Sequence, residues 1–214
     1  MDKLLTLMNF SHVYENEKFY LSEEYNWVDC TNIIGTNGYC DESALAVLKE
    51  KVQAIKAEGI HFIDSGNYHY ISHLWLEKIV EDFILVVFDH HSDMMRPAFG
   101  DILSCGSWLM EEIKSNTFIK KVLIIGAGTM AAHVSAQFLL FGRKVVVFVR
   151  TEEKEAIVKN RIRNEVMAPR IEEGYFTDEY ADKVMSNLEF IVADPALTPD
   201  DIDLVNESVY EEYD

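Results

Sequence analysis

The sequence of 214 residues predicts an α/β fold, a three-layer α/β/α arrangement around a doubly wound, mostly parallel sheet. Three observations carry this. Strand-like and helix-like segments alternate almost throughout. The strand-like runs are continuously apolar rather than alternating, as in strands covered on both faces. Two polar motifs, at 89–93 and 126–131, each close such a run, where open α/β sheets bind ligands.

Taken in order, strands are expected at 4–10, 27–33, 61–64, 83–89, 121–126, 144–149 and 188–193, with a last short one at 203–209. Helices fall between them at 41–57, 71–80, 107–115, 130–141 and 152–165. The first opens on Asp41 and Glu42, whose charge suits the amino-terminal end of a helix dipole. Residues 168–187 carry Pro169 and Gly174, show little periodicity and are expected to be irregular. No repeat, linker or low-complexity tract interrupts the pattern. A single α/β domain over 1–214 is expected, because the first half supplies too few strands for a sheet of its own.

Composition excludes several classes. The net charge of −18 offers no basic footprint for nucleic acid. The acid excess is greatest after Glu172 and reads as solvated surface. No apolar run approaches the roughly 20 residues that span a bilayer. The amino terminus lacks the basic lead and small-residue cleavage site of a signal peptide. Cys30, Cys40 and Cys105 are far apart, with no CxxC pair, and fit reduced thiols. The expectation is a cytoplasmic protein acting on a small-molecule substrate, without membrane or nucleic-acid partners; a homo-oligomer is allowed. Cys105 is expected to be structural, since no base accompanies it in sequence.

The first motif is Asp89-His90-His91-Ser92-Asp93. Asp89, His91 and Asp93 share one parity, so at a frayed strand end their side chains point the same way. Two carboxylates and an imidazole suit a hard divalent ion such as manganese. His69 follows another expected strand and reaches the same sheet edge. The alternative is a strand-end hydrogen-bond cluster. His73, four residues after His69, is expected on a helix surface.

At these residues the chain resembles the ureohydrolase (arginase and agmatinase) family, over about 1–126. The resemblance rests on Asn9-Phe10-Ser11, on 35–40, on 64–70 and on 89–93. It implies that His69, Asp89, His91 and Asp93 are manganese ligands and that metal-bound hydroxide cleaves a C–N bond of a guanidine or amidine. The family completes its metal pair with a later Ser-x-Asp-x-Asp. Here Asp194 stands for the first of those carboxylates and Ala196 replaces the second, which implies an incomplete site of weak or no activity.

The second motif, Gly126-Ala-Gly128-Thr129-Met130-Ala131, follows an apolar run and opens an apolar helix. Gly126 permits a tight turn, Gly128 lets backbone approach a pyrophosphate, and Ala131 allows close helix–strand contact. The amides at the helix start, including those of Thr129 and Met130, meet phosphate charge. From about 119 onward the chain resembles the cofactor-binding domain of 3-hydroxyacyl-CoA dehydrogenases, a Rossmann-like dinucleotide-binding half. The matching pieces are 120–130, 142–149, Arg161-Ile162 and 203–211. The resemblance places Glu207 near the cofactor. The acidic residue expected at the end of the second strand is replaced by Val149, followed by Arg150 and Thr151, which favours NADP over NAD. That family's catalytic His-Phe-Phe-Asn-Pro segment is not found in this sequence, so no catalytic residue is assigned.

The two resemblances meet at 121–126, as in a chimera arising by natural fusion, recombination or design. The leading expectation is an arginase-like metal-binding protein. The alternatives are an NAD(P)-binding module without dehydrogenase chemistry and a folded chain without activity.

Overall fold

The computed structural model describes residues 5–88, 91, 93–96, 100–194, 196, 198, 201–202 and 204–207. The α/β class and the parallel strand pairing are as the sequence predicts. The single continuous sheet is not. The chain divides into two compact units, one of Met1–Val80 with Asp93–Glu112 and one of Glu81–Ser92 with Ile113–Asp214. The division falls neither at 121–126 nor at any one point, since the chain passes between the units three times.

The first unit holds a parallel sheet of β1 (Leu5–Asn9), β2 (Tyr25–Asp29) and β4 (Ile60–Phe62), in the order β2-β1-β4. A two-residue antiparallel ribbon pairs β3 (Tyr39–Cys40) with β6 (Leu103–Ser104). Leu7, Tyr14 and Tyr20 form a core cluster against Leu5, Tyr25 and Phe62. Strand β2 stops four residues short of its expected end because the Asp29 carboxylate accepts from the backbone N–H and hydroxyl of Thr31, a local turn that competes with pairing. Helix α1 (Glu42–Val52) starts where expected: the Asp41 side chain accepts from the Ala44 N–H at 2.8 Å. It ends early, where Lys78 Nζ donates to the carbonyls of Val52 and Ile55. A 3-10 turn (Gly66–Tyr68) and the short helix α2 (Ile71–Leu76) follow β4.

Between β1 and β4, Asp64 acts as a clasp. Its carboxylate accepts from the N–H groups of Phe10 and Ser11, both at 2.9 Å, and from the Ser11 hydroxyl at 2.7 Å. The quoted segments Asn9-Phe10-Ser11 and 64–70 therefore meet for a structural reason.

The second unit is built on a five-stranded parallel sheet in the order β5-β10-β7-β8-β9. Its strands are β5 (Leu85–Phe88), β7 (Lys121–Ile125), β8 (Lys144–Val149), β9 (Leu188–Val192) and β10 (Leu204–Glu207). Val122, Leu123 and Ile124 are all buried although they alternate faces, so β7 is covered on both sides, as its unbroken apolar run predicts. Leu123, Val146, Ile191 and Ile202 cluster together, with Ile125, Phe148 and Val205 packed against them. Helix α3 (Trp108–Ser115) precedes β7, and α4 (Thr129–Leu140) connects β7 to β8.

The expected helix at 152–165 is α5 (Glu152–Asn160), which runs on through a wider π-helical stretch (Arg161–Met167) into α6 (Ala168–Glu172). The expectation of irregular chain over 168–187 is corrected: α6 and α7 (Asp178–Met185) occupy most of it. Pro169 sits in the first turn of α6, where its missing N–H costs nothing. Gly174, at φ +81°, ends that helix in a left-handed turn, its N–H donating to Ile171 and that of Tyr175 to Arg170. Among the described residues no helix is long and apolar enough to cross a membrane.

Cys30, Cys40 and Cys105 are free thiols. Burial pushes Cys30 up to about 12 and Cys40 up to about 11. A folded-state pKa above the unfolded value means that the thiol contributes stability fully below the unfolded value, near 8.5, and loses it as pH rises through 11 and 12. The urea midpoint should therefore fall between about pH 9 and 12, less steeply in Cys30→Ala than in the parent. At pH 8 a thiol reagent should modify Cys30 and Cys40 only on unfolding; peptide mass spectrometry showing prompt labelling of both in the folded protein would refute this.

Candidate functional site

In the second unit, β7, β8 and β9 lie side by side in chain order, and the chain then crosses back to lay β10 against the other side of β7. Such a reversal of order, at the carboxyl ends of β7 and β10, is the place where open α/β sheets take ligands. Ile125, the last residue of β7, is in register with Phe148 on one side and Glu207 on the other. Glu207 is thus beside the start of the 126–131 loop in the backbone.

The two glycines of the loop differ in what they need. Gly126 has φ +135°, a conformation denied to other residues, and its N–H donates to the Phe148 carbonyl at 3.2 Å. Gly128 caps α4 with φ −80° and ψ −178°, ordinary extended backbone. A Cβ there would meet nothing within 4 Å. Neither its conformation nor packing against the described residues requires Gly128, so its missing side chain leaves the backbone bare to something from outside. No side chain caps this helix start, and Thr129 and Met130 are exposed, whereas Ala131 is fully buried and permits close packing. The cradle fits an anionic phosphate group.

Two arginines border the loop's surroundings. Arg161 Nη1 donates to the Ala127 carbonyl at 3.2 Å, fixing the middle of the loop. The sequence offered it only as part of the family resemblance, and its role depends on a contact across 34 residues. Arg150 follows β8 and is exposed; Thr151 caps α5, its hydroxyl accepting from the Lys154 N–H at 3.4 Å. His133 is exposed on α4, with Nδ1 2.9 Å from the Thr129 carbonyl.

The expected metal ligands fare differently. In the first unit, His69 Nδ1 lies 2.9 Å from Asp93 Oδ2, and the Trp108 indole N–H donates to that same oxygen. The Asp93 carbonyl accepts from Leu109 at 3.1 Å, which ties the 4 % exposed aspartate to the start of α3. The His69 and Trp108 rings lie 4.9 Å apart. His69 and Trp108 thus share one carboxylate oxygen of Asp93. His91 is exposed and belongs to the second unit, and Asp89 lies outside the described residues. Asp194 is exposed after β9, its carboxylate accepting from the Ala196 N–H at 2.9 Å. Strands β9 and β5 are opposite edges of their sheet, four interstrand spacings or about 19 Å apart. That separation keeps Asp194 from sharing an ion with ligands that follow β5. Among the described residues, no three His, Cys, Asp or Glu side chains gather as a metal site would require.

His73 is corrected as well. It is buried rather than on a helix surface, with Nδ1 2.6 Å from Glu112 Oε2 and Nε2 3.4 Å from Glu77 Oε1. An open groove of about 380 Å³ runs along β2, lined by Tyr25, Trp27, Lys51 and Ile55 among others, and contains none of the residues singled out from sequence.

The strand order, the glycine loop and the helix start define the second unit as a Rossmann-like α/β fold. Residues 121–214 match the family model of the 3-hydroxyacyl-CoA dehydrogenase NAD-binding domain. An uncharacterized protein of Thermotoga maritima is 28% identical over 123 residues, covering 55% of this chain and 47% of its own. Among solved structures, M. tuberculosis FadB2 is 27% identical, covering 44% of this chain and 32% of that one, with a TM-score of 0.40. The Escherichia coli 3-hydroxybutyryl-CoA dehydrogenase is 25% identical, covering 44% and 19%, with a TM-score of 0.39. The chain thus spans about half the length of the curated relative it matches and a third or less of these two solved chains. The ureohydrolase resemblance, the manganese site and the chimeric junction receive no support from these comparisons.

Proposed function

We propose that the second unit binds a dinucleotide, NAD or NADP, with its pyrophosphate on the Gly126–Ala131 loop. The observation that carries this is Gly128: an unstrained glycine, open to space, at an uncapped helix start. Gly126 makes the turn, the first amides of α4 meet the phosphate charge, and Ala131 lets helix and strand approach. Arg161 holds the Ala127 carbonyl and so keeps the loop in shape. Glu207, ending β10 in register with Ile125, stands at the same strand end as the loop. When bound, the nicotinamide supplies hydride-transfer chemistry to a small-molecule substrate. The match to the NAD-binding domain model over 121–214 supports the reading.

The test is titration with NADH and NADPH followed by nicotinamide fluorescence, with Gly128→Val as the comparison. The added side chain enters open space, so the variant should stay folded, with only the small loss that valine causes at a helix N-cap, yet lose binding by at least about tenfold, as blocked backbone contacts to the pyrophosphate require. Equal binding by variant and parent would remove the loop from consideration.

A further inference from the structure

A dinucleotide fold tells NAD from NADP at the end of its second strand, about 20 residues beyond the glycine loop: an acidic side chain there holds the ribose hydroxyls of NAD, and a basic one accepts a 2′-phosphate. In this chain the second strand is β8, beside β7 in the sheet. Its last residue, Val149, is 2 % exposed and points into the core. The first residue free of the strand is Arg150, exposed and in no ion pair with any described residue. Next comes Thr151, whose hydroxyl sits at the α5 N-cap, and one turn on is Lys154, exposed and also in no ion pair with a described residue. Arg150, just after the strand, and Lys154, in the first turn of α5, are thus free of ion pairs with described residues, although Glu152, Glu153 and Glu155 lie in that turn and the chain has 37 acidic residues to 19 basic. A carboxylate at 149 or 150 would suit NAD; none is there.

We infer that the site prefers NADP(H) to NAD(H), with Arg150 and Lys154 recognising the 2′-phosphate beside the Thr151 hydroxyl. This rests on the dinucleotide reading above and departs from the matched family model, which is described as binding NAD. Arg150 offers a planar fork for bidentate contact with a phosphate, and Lys154 adds a point charge. The glutamates of the first turn favour the helix dipole and oppose an anion, so the preference depends chiefly on Arg150.

The experiment compares dissociation constants for NADPH and NADH, with 2′,5′-ADP and 5′-AMP as competitors, in the parent, Arg150→Ala and Arg150→Asp. In the parent, NADPH should bind at least about tenfold more tightly than NADH, and 2′,5′-ADP should compete better than 5′-AMP. Arg150→Ala should weaken NADPH by about tenfold and leave NADH unchanged; Arg150→Asp should reverse the preference. Equal or tighter binding of NADH by the parent overturns the inference, as does equal loss of both nucleotides in Arg150→Ala. Should neither nucleotide give a signal that Gly128→Val abolishes, the dinucleotide reading itself falls, so the two failures are told apart.

Discussion

Glu112→Leu is expected to destabilise the first unit by about 3 kcal/mol. Glu112 is 0 % exposed and His73 5 %, and the substitution strips the buried imidazole of the acceptor 2.6 Å from Nδ1. His73→Leu should cost a similar amount, since it takes the imidazole away from a buried carboxylate. The double variant should recover most of the loss, because two apolar groups need no partners. All three tryptophans, Trp27, Trp75 and Trp108, belong to the first unit, so indole fluorescence in urea reads its unfolding. Single variants within about 0.5 kcal/mol of the parent would show that the pair contributes little.

Phe138→Ala is expected to cost the second unit about 3–5 kcal/mol. The ring is fully buried on α4, so truncation leaves a cavity in the packing. Phe138 also lends its carbonyl to the turn that ends the helix, where Gly142 at φ +74° and the N–H of Arg143 reverse the chain toward β8. Phe138→Leu, which keeps most of the volume, should cost under about 1.5 kcal/mol. Hydrogen exchange at Val122–Ile124 and Val145–Val147 measures the effect directly. Protection in Phe138→Ala that stays within about 1 kcal/mol of the parent would mean that α4 is not needed to secure the sheet.

The second unit was the more legible in sequence. Its central strands are apolar on both faces, and Gly126 and Gly128 punctuate the passage from β7 to α4 unmistakably. Pro169 and Gly174 look like breakers in sequence, but Pro169 belongs to the first turn of α6 and Gly174 to its end, and Thr177 caps α7 by accepting from the Tyr180 N–H. The pairing of His73 with Glu112 was not legible, because 39 residues separate partners that only tertiary folding brings together. The same holds for the candidate metal ligands. Parity along a strand predicts that Asp89, His91 and Asp93 act together, and Asp89 lies outside the described residues. Aspartate 93 has φ +48°, so the extended geometry on which parity rests does not extend to it.

The place of β10 has a consequence for how the protein is made. The ribosome delivers β5 and β7 early, but the strand that lies between them is the last one described, with Leu204 aligned to Leu85 on one side and Val122 on the other. Until it emerges, two strand edges face an unfilled slot, each open to pairing with any extended chain nearby. The sheet of the second unit is thus open to mispairing until β10 has emerged, and its completion must await that strand.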